Sequence, residues 1–189
     1  DQGHSKIMRV FQEKVNGVYQ GACFPFREGF SSGVLRLKWG NDNSLYVGMT
    51  NRGWSSTGKE PYGIERLVPS GKIPFEMKAV RAMPDGFEIE FTKPVSETSA
   101  KAPEAYTISD FTYKYHHIYG SPVIDLEQKS KRKIVVSDDG LKVRLVIEGL
   151  RKGYIYEIKT TDIKSKSGEE LLHTACYYTL NNIPEVPGQ

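Results

Sequence analysis

Cysteine is scarce in this chain: Cys23 and Cys176 are the only two in 189 residues. Two cannot build a disulfide framework, and their spacing fits neither a CxxC redox pair nor a zinc knuckle. They read as buried thiols or as a single long-range bridge, which an oxidising compartment would permit. There is no CxxCH to attach haem, and no Cys, His and Met lie together in a short loop as a blue-copper site needs. Long apolar runs are missing too. None approaches the roughly 20 residues needed to cross a bilayer, so no membrane span is expected. Charge of one sign is also lacking, with 26 Lys and Arg against 23 Asp and Glu. A duplex-binding protein gathers its cations on one face, whereas here the signs alternate along the chain, and no nucleic-acid partner is expected. The one basic run, Lys129 to Lys133, lies between two predicted strands. It reads as a solvated loop, with an anion or surface contact as the alternative. No signal peptide is present. The chain opens at Asp1 without a methionine and reads as trimmed, so that lack decides nothing.

What is present is ordinary for a folded soluble protein, 38% hydrophobic and 26% charged, in a length that allows one large or two small domains. Period-2 alternation dominates. Phe87, Ile89 and Phe91 share one face of a strand whose other face carries Glu88, Glu90 and Thr92. Leu141, Val143, Leu145 and Ile147 repeat the pattern. Ser137-Asp138-Asp139-Gly140 before them reads as a hairpin turn in which glycine supplies the positive φ. Tyr154, Tyr156 and Ile158 alternate again, and Tyr177 to Leu180 reads as a last strand. Only Ser96 to Ala105 looks helical, and Pro103 keeps it short. From Val80 to Ile183 the pattern predicts a β-sandwich of about seven strands. Residues 1 to 75 differ, being rich in glycine, aromatics and turn dipeptides. Strands are predicted at Ile7–Val15, Gly33–Trp39, Leu45–Met49 and Tyr62–Val68, which together match one blade of a propeller. The fold class is therefore all-β: residues 1–76 form a blade-like antiparallel sheet and 77–189 an Ig-like β-sandwich, with the boundary near Pro74 to Lys78. A segment starting near Lys78 is expected to fold alone.

Candidate sites are few. His116 and His117, flanked by Tyr113, Tyr115 and Tyr119, would point to opposite faces of a strand and so could not share a metal without a bulge. An aromatic-lined strand edge is the plainer reading. His4 and His173 are isolated and read as structural or solvated. Asn41, Asp42 and Asn43 offer oxygens that suit calcium but lack the glycine and distal glutamate of an EF-hand, so an inter-strand turn is expected. Ser55, Ser56 and Ser121 have no nucleophile elbow around them. No carboxylate pair stands out as a glycosidase dyad. The best functional surface is the loop Asn51–Tyr62. It sets Trp54 and Tyr62 beside Arg52 and Lys59, an aromatic and hydrogen-bonding mixture that suits sugar rings. Packing against another part of a larger protein is the alternative.

Several spaced motifs carry a resemblance. The run Gly33 to Gly48, then Thr50 to Trp54, Tyr62 to Leu67 and Gly71 to Phe75, resembles the last blade of soluble glucose/sorbosone dehydrogenase-like β-propellers. The runs Asp85 to Phe91, Lys93 to Val95, Tyr113 to Tyr115, Tyr119 to Pro122, Leu172 to Ala175 and Tyr178 to Asn181 are similar to the Ig-like module that follows such propellers. The resemblance implies the C-terminal part of a larger bacterial protein, secreted or periplasmic, with surface anchoring as a further option. In that setting this chain is an accessory module that completes or caps a propeller and whose partners are the missing N-terminal domains. Catalysis in such propellers belongs to earlier blades, so no catalytic residue, metal or cofactor is expected in this chain. The parent could use pyrroloquinoline quinone, haem c or copper, as relatives fused to cytochrome c or auracyanin-like domains do. A carbohydrate- or cell-surface-binding module is the alternative reading.

Overall fold

The computed structural model describes residues 1–186. The chain is all-β and divides into two compact units, one of Asp1–Arg9 and Pro25–Ile73, the other of Val10–Phe24 and the chain from Pro74 onward. Its first hairpin supplies residues to both. Strand β1 (Lys6–Val15) turns through Asn16 and Gly17 into β2 (Val18–Glu28), with φ of 47° and 82° at the two turn residues. Positive φ at both central positions defines a type I′ turn, whose twist matches that of the flanking strands, and Asn-Gly is the pair that adopts it with least strain.

The second unit is a β-sandwich. One sheet has six strands in the order β1-β2-β13-β12-β8-β9, adding β8 (Tyr106–Tyr113), β9 (Val123–Gln128), β12 (Tyr154–Thr160) and β13 (Ala175–Leu180). The other has the order β10-β11-β7-β6, built from β6 (Met77–Met83), β7 (Gly86–Phe91), β10 (Lys131–Val136) and β11 (Lys142–Ile147). Alternation places Phe87, Ile89 and Phe91 inward from β7, and Val143, Leu145 and Ile147 inward from β11, as the sequence pattern predicts. Tyr156 and Tyr178 reach across from the facing sheet, each with its ring centroid 5.0 Å from that of Phe87. Such tilted aromatic pairs add to the burial of their area. Burial pushes both phenol pKa values up. Tyr178 donates to the Glu13 carboxylate, which also accepts from the Ala82 amide, and Gln20 donates to Tyr178. The helical stretch is a single turn, α1 (Glu97–Ala100), followed by a 3₁₀ turn at Pro103–Ala105.

Buried charges inside this unit are held by partners, whereas the Tyr106 hydroxyl is buried with no hydrogen-bond partner. Asp110 of β8 is wholly buried, its carboxylate held by Arg151 through Nε at 2.9 Å and Nη2 at 2.5 Å, with Lys129 Nζ at 2.9 Å. Burial works to raise its pKa, but the hydrogen bonds from Arg151 and Lys129 prevail and hold it below the ordinary carboxylate value. The basic run at Lys129–Lys133 is consequently not a solvated loop. Lys129 is buried on Asp110, Lys131 Nζ donates to the Tyr106 carbonyl, and Lys131 to Lys133 form the start of β10. The two cysteines are not bridged. Cys23 pairs in register with Tyr177, so Cys176, one residue away, points to the opposite face of the sheet.

The first unit is built on an antiparallel three-stranded sheet in the order β3-β4-β5, comprising β3 (Val34–Trp39), β4 (Leu45–Thr50) and β5 (Tyr62–Leu67). Its inner face buries Val34, Leu45, Val47 and Met49 with Ile7 and Phe30, and Phe26 and Leu67 pack against them.

Candidate functional site

The loop from Asn51 to Pro61 joins β4 to β5 beyond the last rung of the small sheet, where Thr50 pairs with Tyr62. A polar network fixes its backbone. The Asn51 side-chain amide donates to the carbonyls of Gly58 and Glu60, both at 2.8 Å, and its Oδ1 accepts from Ser56 Oγ at 2.6 Å. Ser5 Oγ accepts from the Gly58 amide at 2.9 Å and donates to Ser56 Oγ. The Thr57 amide donates to the Gly3 carbonyl, the Glu60 amide to that of Ser31, and Gln2 Nε2 to that of Trp54. Gly58 is pressed against the Ser31–Ser32 backbone, where a Cβ would lie 2.5 Å from backbone atoms. None of this network uses the aromatic rings. Trp54 remains 60% exposed and Tyr62 77% exposed. Arg52 and Lys59 are exposed on the same loop, and neither has a carboxylate within ion-pair distance among the described residues.

Tyr62 also opens the outer face of the sheet. Because side chains alternate, that face carries Arg36 and Lys38 from β3, Tyr46, Gly48 and Thr50 from β4, and Tyr62, Ile64 and Arg66 from β5. The register sets them in rungs: Lys38 beside Tyr46 beside Arg66, then Arg36 beside Gly48 beside Ile64, then Thr50 beside Tyr62. Arg66 is committed to Asp42, donates through Nε to Ser44 Oγ at 3.0 Å, and lies 5.8 Å from the Tyr46 ring centroid. Hydrogen bonds from the Ser44 amide and hydroxyl, assisted by Arg66, hold the Asp42 carboxyl below its usual pKa. Asn41–Asn43 is thus the inter-strand turn expected, its aspartate engaged by protein donors.

The remaining sequence candidates lie elsewhere. His116 and His117 are not on a strand, since β8 ends at Tyr113. They sit in the loop before β9, where His116 Nδ1 accepts from the Ile118 amide at 3.1 Å. His173 pairs with Glu76 at 2.5 Å in the second unit, and His4 with Asp1 in the first. Among the described residues no three His, Cys, Asp or Glu side chains converge as a metal set. The second unit has an aromatic depression of its own that sequence reading missed. It is about 380 Å³ on the outer face of the six-stranded sheet, around Tyr19, Gly21, Tyr113 and Tyr177. Tyr177 donates to Glu157 at 2.8 Å, and that bond, with burial, pushes its pKa up to about 12.

No family model matches the chain, and no curated protein does. Among solved structures it is similar to domains 1–6 of the surface layer protein SbsC, at 20% identity and TM-score 0.44 over 61% of this chain and 15% of that one. It is also similar to the N-terminal part of the bacterial S-layer protein SbsC, at 22% identity and TM-score 0.44 over 60% and 25% of the two chains. A third likeness, to the S-layer protein rSbsC(31-844), has 22% identity and TM-score 0.46 over 62% and 15%. The chain thus spans a quarter or less of those proteins. A likeness this distant says nothing of what the chain does. The findings do overturn the resemblance to glucose/sorbosone dehydrogenase-like propellers, since what they name is surface-layer protein. The strand pairing agrees. A blade needs four strands of its own, but the small sheet has three, and Ile7–Val15 pairs with β2 instead.

Proposed function

We propose that this chain is a non-catalytic binding module of a larger cell-surface protein, with the Trp54 loop as its contact for carbohydrate or another surface partner. One observation carries the reading: the loop is rigidified by polar groups while its aromatic rings stay in water. A loop that packed within its own unit would bury Trp54. Here the side-chain network of Asn51, Ser5 and Ser56 does the ordering, and two rings and two cations are left over. Fixing a contact surface in advance lowers the entropy lost on binding. Tryptophan and tyrosine present a negative π face to the polarised C–H bonds of a sugar ring, and Arg52, Lys59 and the phenol of Tyr62 supply donors at the rim.

The test is retention of the purified chain on an array of cell-wall and storage polysaccharides, comparing Trp54→Ala and Tyr62→Ala with the parent sequence. Retention that each substitution weakens, without change in thermal midpoint, supports the reading. Retention indifferent to both substitutions, or none on any polysaccharide, removes it.

A further inference from the structure

We infer that the outer face of the β3-β4-β5 sheet continues the contact surface of the Trp54 loop, and that its ligand is an acidic polysaccharide. This rests on the binding-module reading and names the ligand class for it. The starting point is Gly48, at the centre of the middle strand. A glycine inside a strand weakens it and is retained where geometry requires it or where something approaches the backbone closely. Geometry does not require it here. Its φ lies outside the region that favours glycine, and a Cβ would meet nothing nearer than the Arg36 Cβ at 3.6 Å and its carbonyl at 3.8 Å, ordinary contacts. The missing side chain leaves a gap in the face between Arg36 and Ile64 on either side and Tyr46 along the strand.

The rim of that gap states the chemistry. Ile64 is 78% exposed and gives the rim an apolar contact open to water. Tyr46 and Tyr62 are exposed on the same face. Arg36 and Lys38 line its β3 side, and among the described residues neither has a carboxylate partner. They belong to a unit with nine Lys and Arg against five Asp and Glu, in a chain that is nearly balanced overall. Flat apolar contact beside unpaired cations fits a saturated ring carrying carboxylates.

The experiment uses the whole chain and immobilised polygalacturonate, with neutral dextran, oligo(dT) and phosphatidylglycerol vesicles in parallel. Polygalacturonate is expected to bind, with affinity falling as salt rises from about 0.1 to 1 M, which shortens the screening length from about 10 to 3 Å. The double variant Arg36→Ser, Lys38→Ser is expected to weaken it by roughly tenfold or more, the loss of two charge-assisted hydrogen bonds. Gly48→Ala and Gly48→Val are expected to lose affinity while the thermal midpoint stays level or rises. A lower midpoint for Gly48→Ala, or unchanged affinity for Gly48→Val, overturns the inference. Dextran bound as well as polygalacturonate, with dependence on Trp54 alone, overturns it and leaves the binding-module reading standing. Preference for oligo(dT) or vesicles overturns the ligand class. No binding to either polysaccharide overturns the inference, and retention on the wider array then decides the binding-module reading separately.

Discussion

Asp110 anchors the buried charges of the second unit. Its carboxylate neutralises Lys129, which is itself buried, and fixes the Arg151 fork. Asp110→Ala leaves the buried Lys129 ammonium with only the half-exposed Glu127 carboxylate, 2.9 Å away, as counter-charge, and breaking a buried pair costs up to about 3–5 kcal/mol. Urea unfolding of the variant at neutral pH checks this. The same group gives a pH dependence. Its folded pKa is lowered, so its contribution is fully present above the unfolded value near 3.9 and is lost as pH falls through the folded one. Unfolding midpoints measured from pH 6 down to pH 2 should fall with acidification, and Asp110→Asn should flatten part of that fall. Two aromatic truncations separate core from contact surface. Phe91, 1% exposed and stacked 5.6 Å from Phe75, should cost roughly 3–5 kcal/mol as Phe91→Ala. Trp54→Ala should cost far less, and equal losses would make Trp54 a packing residue.

Among the elements, those legible in the sequence are the ones with one dry and one wet face. β7 and β11 alternate visibly for that reason, and the Ser137–Gly140 turn between β10 and β11 forms with Gly140 at φ 70°. β8 escapes because it is buried on both faces, and the Ser109-Asp110 pair at its centre looks like turn chemistry until Arg151 and Lys129 are placed beside it. β9 escapes for the opposite reason, all six residues being exposed. β2 does carry a signal, since Asn16-Gly17 after an alternating run marks a two-residue hairpin. The Trp54 loop stands out by composition alone, whereas the face around Gly48 requires a register, which composition does not supply. One glycine tests the β7–β11 register directly. A Cβ at Gly86 would sit 1.9 Å from the Leu145 carbonyl oxygen, so Gly86→Ala must push the two strands apart. A clearly lowered thermal midpoint is expected, and an unchanged one would mean the strands pair differently.

At the scale of the whole molecule, the pairing of β2 with β13 changes what a truncated chain should do. A segment beginning at Lys78 has the alternating strands of a sandwich, but it lacks Ala22, Phe24, Phe75 and Met77 from the core and leaves the β13 edge unpaired. Exposed strand edges beside apolar surface promote association. The segment should therefore show no cooperative thermal transition on its own, while the full chain does, and calorimetry of both distinguishes the cases. The first hairpin also meets its partners late. Glu13 is separated from Tyr178 by 165 residues. At translation rates of about 5–20 residues per second, roughly 8–33 s pass between the emergence of the two. For that interval the hairpin has left the ribosome with no β13 to join. A nascent chain of this protein should stay open to chaperones and proteases until its last strand arrives.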